Sequence, residues 1–147
     1  MRKRTKAREL ALQLLYQVDI RKEDAGDLLE GFWQDQKDGT KQIEGSVQEY
    51  ANIIVNGVLD KIGKIDSIIT SYAENWELKR MAVIDRNVMR MACFELLFLD
   101  DIPPKVSINE AVNLAKKYGD VDSGKFVNGI LDKISKKERG SGAGKAS

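Results

Sequence analysis

The most apolar stretch of the chain runs from Met81 to Leu99 and predicts a helix. Apolar residues follow the helical repeat here, but others fill the remaining faces as well. A helix that is apolar on nearly every face is expected to be buried on nearly every face. Its charged residues should lie at an exposed end or be paired inside, because an unpaired buried charge costs several kcal/mol. These charged residues are Asp85, Arg86, Arg90 and Glu95.

Apolar positions at a spacing of three and four residues predict four helices before this stretch. Their approximate ranges are 5–18, 24–36, 46–63 and 65–72. Thr5 is a suitable N-terminal cap for the first helix, and Ser46 begins the third. Gly63 is a suitable left-handed residue at the C-terminal end of the third helix.

Two further helices are predicted after Pro103 and Pro104, which end the central helix. The run from Ser107 to Glu110 has the serine-x-x-glutamate form of a capping box, and Gly119 follows the last apolar position. A last helix begins at Asp122 or Ser123 and continues to Ile134. No strand is needed, so the pattern predicts an all-α bundle of about seven helices in which the other helices pack around the central one.

Composition narrows the possible chemistry. The chain has 147 residues, a formal net charge of +1, one cysteine and no histidine. It cannot form an internal disulfide, which fits a cytoplasmic protein, and it has no imidazole for metal binding or proton transfer. No apolar run approaches the eighteen residues of a membrane span, and no signal-peptide cleavage site is evident. We expect a single cytoplasmic domain.

The positive charge is concentrated at the two ends of the chain. Arg4, Lys6 and Arg8 lie near the start of the first helix, where the helix dipole disfavours cations and a bound polyanion would relieve the penalty. Tyr16 lies two turns beyond Arg8 and can add an aromatic ring to this basic face. The pattern is typical of a nucleic-acid contact, although a merely solvated helix end remains the alternative.

Other motifs give no sign of a catalytic, metal or cofactor site. Cys93 lies among apolar residues, which predicts an inert buried thiol. The segment from Asp120 to Gly124 lacks the later ligands of a calcium loop. The glycines of the tail, residues 140–145, lack the strand and spacing of a phosphate-binding loop. We therefore expect no cofactor and no catalytic residue.

Four blocks of sequence resemble the bacterial NusB family of transcription antitermination factors. They are KARELALQLLY from Lys6, DRNVMR from Asp85, INEAVNLAKK from Ile108 and FVNGILD from Phe126. The blocks occur in the family's order, and the resemblance extends from about Arg4 to Ile134.

The resemblance implies one helical RNA-binding domain over residues 1–137, composed of two three-helix-like subdomains at about 1–72 and 73–137. Residues 138–147 are then expected to be a disordered basic tail. It also implies binding to the single-stranded boxA element of ribosomal RNA leader transcripts, together with the small-subunit ribosomal protein NusE. The complex would act on RNA polymerase, and a homodimer is a further possibility.

Carried over by position, the resemblance implies two sets of site residues. The RNA-binding residues are Arg4, Lys6, Arg8, Tyr16, Asp122, Ser123, Lys125, Phe126 and Asn128. Asp85 would contact NusE, with a salt bridge to Arg86 or Lys79 as its structural alternative. Phe126 also fits the apolar stripe of the last helix, so a core position is the alternative for its ring. Thr5 stands where some relatives continue the arginine run, which alters the pattern of cations.

Two other functions fit the sequence. A NusB-like domain also resembles the N-terminal part of ribosomal RNA cytosine methyltransferases, but those proteins need a second domain with a cofactor site, for which this chain is too short. The chain could also be a purely protein-binding helical dimer. Binding of S-adenosylmethionine would favour the first alternative, and absence of RNA binding at low salt would favour the second.

Overall fold

The structure, a computed structural model, describes residues 2–21, 25–37, 43–74 and 76–139, and these residues contain no strand. Within them are seven α-helices: α1 Lys3–Arg21, α2 Ala25–Lys37, α3 Gly45–Asp60, α4 Ile62–Tyr72, α5 Val83–Phe98, α6 Pro104–Tyr118 and α7 Ser123–Ile134. A 3-10 turn, Leu78–Arg80, precedes α5, and a π-helical turn, Ser135–Arg139, follows α7. The predicted all-α fold is confirmed.

Contacts between residues divide the chain into two compact units, Met1–Asn56 and Gly57–Ser147. The boundary falls inside α3, which is one continuous helix through Asp60. The sequence interpretation instead divided the chain near residue 72, and that division stays a prediction.

In the first unit, the predicted apolar stripe of α1 is buried from Ala7 to Leu15, and Val18 at its end is half-buried. Phe32 and Trp33 of α2 are also buried, and their rings meet edge to face with centroids 5.0 Å apart. The indole N–H of Trp33 donates a hydrogen bond of 2.8 Å to the side-chain oxygen of Asn52 on α3. This bond satisfies the only polar atom of a buried ring, and it joins α2 to α3.

In the second unit, α5 is the central element and contacts α4, α6 and α7. It is buried on nearly every face, as its sequence predicts. Two of its charged residues have partners inside. Arg90 forms two hydrogen bonds, of 2.8 and 2.9 Å, with the carboxylate of Asp66 on α4. Glu95 is 2% exposed and accepts a 2.9 Å bond from the hydroxyl of Ser107 on α6. These polar contacts set the positions of α4 and α6 against α5.

Three of the predicted helix ends are wrong. Thr5 is not a cap, because α1 already begins at Lys3. Gly63 does not end a helix: α3 ends at Asp60, and Gly63 lies inside α4. Ser107 is not a capping residue, because α6 begins at Pro104, whose ring suits the first turn of a helix. The buried hydroxyl of Ser107 bonds to Glu95 instead.

The predicted disordered tail begins two residues too early. Glu138 and Arg139 belong to the π-helical turn that continues α7. The hydroxyl of Tyr72 on α4 donates a 2.6 Å hydrogen bond to the carboxylate of Glu138. This contact joins the π-helical turn after α7 to α4. The rest of the predicted tail, residues 140–147, lies outside the described residues.

Candidate RNA interface

The first group of predicted site residues lies on α1 and is organised by Tyr50 of α3. The guanidinium groups of Arg4 and Arg8 lie over the Tyr50 ring, 4.4 and 5.7 Å from its centroid. Cations at these distances are attracted by the electron-rich face of the ring. Arg4 is exposed, whereas Arg8 is only 5% exposed. Arg4 can therefore reach a ligand, whereas Arg8 offers little surface to one.

Tyr50 falls within the predicted third helix, but its position beneath the two arginines was not predicted. It is 8% exposed, as a core residue should be. Nothing in the local sequence indicates which side chains its ring meets, because Arg4 and Tyr50 are 46 positions apart.

A surface cavity of about 360 Å³ lies beside Arg4, where the first turns of α1 and α3 meet. It is lined by Lys3, Arg4, Ser46, Glu49, Tyr50 and Ile53. Lys3 pairs with Glu44 at 3.0 Å, but both side chains are more than half exposed. Such a pair is weak, so a phosphate group could replace the carboxylate as the partner of Lys3.

The other two predicted residues of α1 are accessible. Lys6 is exposed, and Tyr16 is 39% exposed. At 1.5 Å per residue, Tyr16 lies about 18 Å along the helix axis from Arg4. An extended ligand would therefore be needed to contact both.

The second group of predicted site residues surrounds the start of α7 in the other unit. Asp122 occupies the N-cap position, as predicted, but its side chain makes no capping hydrogen bond. Asp122, Lys125 and Asn128 are exposed. Ser123, in contrast, is 2% exposed, and its hydroxyl accepts a 2.8 Å bond from the N–H of Asp120. Ser123 thus shapes the turn before α7 and offers little surface to a ligand.

Gly119 ends α6 as predicted, for a reason that the sequence does not show. Its φ of −100° is open to any residue. A Cβ atom at this position, however, would lie 2.5 Å from the Ser123 hydroxyl oxygen and 2.7 Å from the Ala115 carbonyl oxygen. Glycine is therefore required by close packing of the turn that presents the start of α7.

Asp85, the predicted partner contact, lies near the start of α5 and is only 7% exposed. Burial raises the pKa of its carboxyl group, the hydrogen bond from Ser123 lowers it, and the negative charge of Asp120 raises it again, with a net upward shift. Among the described residues, no hydrogen-bond partner meets its Oδ1 atom. Asp85 therefore links α5 to the start of α7 through Ser123, and the alternative of a salt bridge to Arg86 or Lys79 stays a prediction.

The raised pKa of Asp85 predicts a pH-dependent contribution to stability. A carboxyl group that holds its proton more tightly in the folded state stabilises the fold at low pH, and this contribution is lost as pH rises through the folded-state pKa. Asp85→Asn keeps an acceptor for the Ser123 hydroxyl and removes the titration. We expect urea denaturation from about pH 3 to pH 7 to show the asparagine variant gaining stability relative to the parent chain as pH rises. A relative loss over the same range would contradict the assignment.

Phe126 lies on the first turn of α7 and is half-buried. Its ring is therefore neither fully exposed nor a core side chain. Its ring meets the indole of Trp76 edge to face, with centroids 5.9 Å apart and an interplanar angle of 68°. Trp76 is 51% exposed. This aromatic pair was not predicted from the sequence.

The described residues offer little for other kinds of site. Cys93 is completely buried, and burial raises the pKa of its thiol far above the ordinary range, so it is not a thiolate nucleophile. Among the described residues, no group of acidic or cysteine side chains could hold a metal ion. None of the described helices is long and apolar enough to cross a membrane.

Comparisons with known proteins identify the family. A sequence model of the NusB family matches residues 5–136. The transcription antitermination protein NusB of Anaeromyxobacter dehalogenans (strain 2CP-1) is 47% identical over 133 residues, which is 90% of each chain. The structure of T. maritima NusB superposes with a TM-score of 0.82 at 40% identity, covering 91% of each chain.

A second solved structure shows a relative in a complex. It contains the antitermination factors NusB and NusE with double-stranded RNA, and its matching chain has a TM-score of 0.79 at 35% identity. The match covers 92% of the present chain and 98% of that one. Since the family match extends over nearly all of the helical part and these similarities cover at least nine-tenths of the chain, the chain belongs to the NusB family.

Proposed function

We propose that this chain is a noncatalytic RNA-binding factor that acts with a NusE protein in transcription antitermination, within a complex on RNA polymerase. The observation that carries the proposal is the match over almost the whole chain to the NusB subunit of the complex with NusE and RNA. The boxA element as the RNA target and a cytoplasmic location are the finer parts of the same proposal.

Side-chain chemistry supports particular roles at the predicted site. Exposed cations can neutralise phosphates, aromatic rings can stack on bases, and an amide can hydrogen-bond a base edge. The residues proposed for direct contact are Arg4, Lys6, Tyr16, Lys125, Phe126 and Asn128. Arg8 and Ser123 are buried and are proposed to position Arg4 and α7, respectively.

RNA affinity is expected to fall steeply with salt. About four phosphate contacts to a single strand should give a slope near −3 when the logarithm of the binding constant is plotted against that of the salt concentration. Fluorescence anisotropy with boxA and scrambled RNA, each with and without NusE, measures this slope. Tighter binding of boxA than of scrambled RNA supports the named target. A flat salt dependence would contradict a phosphate-binding role for the basic residues.

The same titration distinguishes the proposed phosphate contact of Arg4 from the proposed base stacking of Tyr16. Arg4→Ala should weaken both RNAs and make the slope shallower by about 0.7, because one phosphate contact is lost. Tyr16→Ala should weaken binding by roughly 1–3 kcal/mol without changing the slope, because base stacking releases no counterion. Equal changes of slope in the two variants would contradict this division of roles.

The noncatalytic and partner parts of the proposal have separate tests. Calorimetry with S-adenosylmethionine should give no binding heat, since heat would favour the methyltransferase alternative. The predicted NusE contact at Asp85 stays a prediction. Because little of Asp85 is exposed, we propose that its effect on NusE binding passes through the position of α7. Asp85→Ala should then weaken NusE binding more than Asp85→Asn, which retains an acceptor for Ser123.

Asp122→Asn is expected to bind RNA more tightly. The Asp122 side chain makes no capping bond, so asparagine should cost only a few tenths of a kcal/mol through the lost charge–dipole interaction. Removing a negative charge near the phosphates should improve affinity by roughly fivefold at low salt. Asp132→Asn is the control, because it lies about 15 Å further along α7, beyond the screening length of about 10 Å. Equal gains in the two variants would place Asp122 away from the RNA.

A further inference from the structure

Trp76 and Phe126 form an aromatic pair, called here the Trp76–Phe126 platform. The backbone N–H of Trp76 donates a 3.0 Å hydrogen bond to the carbonyl of Ala73. The edge of one ring faces the other ring at a centroid distance of 5.9 Å. Although Phe126 covers part of it, the Trp76 side chain remains 51% exposed. A large aromatic side chain therefore lies at the surface, with about half of its area open to a ligand.

The exposed side of α7 next to this platform is polar and partly open. Lys125 precedes Phe126 in the chain and is exposed, so its long side chain can bring an ammonium group towards the platform. Asn128 is exposed too, but it lies on a different side of the helix from Phe126. Gly129 follows Phe126 by three residues, so it lies on the same side of the helix. A Cβ atom there would meet nothing within 4 Å. The surface beside the platform therefore has room for a flat group.

We propose that the Trp76–Phe126 platform stacks an unpaired RNA base, with Trp76 as the main stacking residue and Lys125 as the partner of the adjacent phosphate. The inference rests on the proposed RNA-binding function and adds a contact residue to it. It also specifies the form of the ligand, because a base within a duplex does not offer its face for stacking.

Charge and composition favour RNA over a protein at this position. A protein-docking centre is normally apolar and depleted in lysine. Here the residue before Phe126 is the exposed Lys125. Aromatic rings beside cations are the usual means of holding single-stranded nucleic acid, since stacking accepts any base and the cation binds the backbone.

The test uses four variants of the full chain with a single-stranded boxA RNA and the same sequence annealed as a duplex. Trp76→Ala and Trp76→Leu remove the ring, and Trp76→Phe retains one. Tyr118→Ala is the matched control, because Tyr118 lies in the same unit and is 42% exposed. Anisotropy gives the affinities, and thermal melting by circular dichroism verifies the fold.

We expect Trp76→Ala and Trp76→Leu to bind the single strand roughly 5- to 150-fold more weakly. Trp76→Phe should retain most of the affinity, and Tyr118→Ala should bind as the parent chain does. The duplex should be affected much less. The single strand should also quench the tryptophan fluorescence of the parent chain, and Trp76→Phe should abolish most of that quenching because the other tryptophan, Trp33, is only 7% exposed.

Unchanged binding of the single strand by a folded Trp76→Ala variant would overturn the inference and leave the proposed function intact. Absence of quenching in a parent chain that binds RNA would do the same without requiring any variant to fold. If the Trp76 variants lose NusE but keep RNA, the platform belongs to a protein partner and the inference is wrong. If the parent chain binds no RNA at low salt, the proposed function fails, and this inference fails with it.

Discussion

Replacing Arg90 with methionine is expected to lower the free energy of unfolding by about 2–4 kcal/mol, because it leaves the carboxylate of Asp66 without its cation. The two side chains are joined by a two-point ion pair and are only 12% and 26% exposed. Arg90 also donates a 3.0 Å bond to the side-chain oxygen of Asn87, whose own amide binds the Val83 carbonyl. Losing Arg90 therefore disturbs a network as well as a pair. Urea denaturation measures the change.

Three further variants isolate the cause. Arg90→Lys keeps the charge but loses the two-point geometry, so its cost should be intermediate. Arg90→Met combined with Asp66→Met removes both charges and should recover much of the loss. Lys136→Met is the control, because its pair with Asp132 is at least half exposed and should be worth less than 1 kcal/mol. Equal losses for Arg90→Met and Lys136→Met would contradict a role for burial.

Gly57→Ala is expected to destabilise the second unit by about 1–3 kcal/mol, although alanine is the better helix former. A Cβ atom at Gly57 would lie 2.1 Å from the ring of Phe94 on α5. That ring is 7% exposed and stacks on Phe98 at a centroid distance of 5.8 Å, so it has little room to move. The expected effect is therefore a shift of the packed ring or of the helix.

Gly129→Ala is the matched control, since the same change in α7 meets nothing within 4 Å. It should stabilise the protein by about 0.5–1 kcal/mol through reduced chain entropy. Combining Gly57→Ala with Phe94→Leu should cost less than the sum of the two single changes, because the smaller side chain relieves the overlap. If Gly57→Ala alone stabilises the protein, the Phe94 ring can move aside at little cost and the prediction is wrong.

The helical pattern could be predicted from the sequence, but several helix ends could not. The buried faces of α1 and α5 follow from their apolar spacing, which is a local property of each helix. Ser107 and Glu110 match a capping box, yet Pro104 already begins α6 and the Ser107 hydroxyl bonds to Glu95. A serine hydroxyl can cap a helix or form a buried hydrogen bond, so the motif alone could not distinguish a helix start from a buried polar contact.

The accessibility of the site residues could also be predicted only in part. Arg4, Lys6 and Tyr16 were predicted as accessible, and the structure has them exposed at the surface of α1. Arg8 and Ser123 were predicted in the same way, but tertiary packing buries them. Their residue types suggest binding, but their burial leaves little surface for a ligand.

By itself, the sequence determined the helical class, the central position of α5 and the family, because periodicity and motif order are carried by neighbouring residues. Only the tertiary structure decided which partners the polar and aromatic groups meet. Asp66 pairs with Arg90, Tyr50 lies beneath Arg4, and Trp76 meets Phe126. These partners are 24, 46 and 50 positions apart in the chain. No local pattern encodes such contacts, because they exist only once the helices have packed.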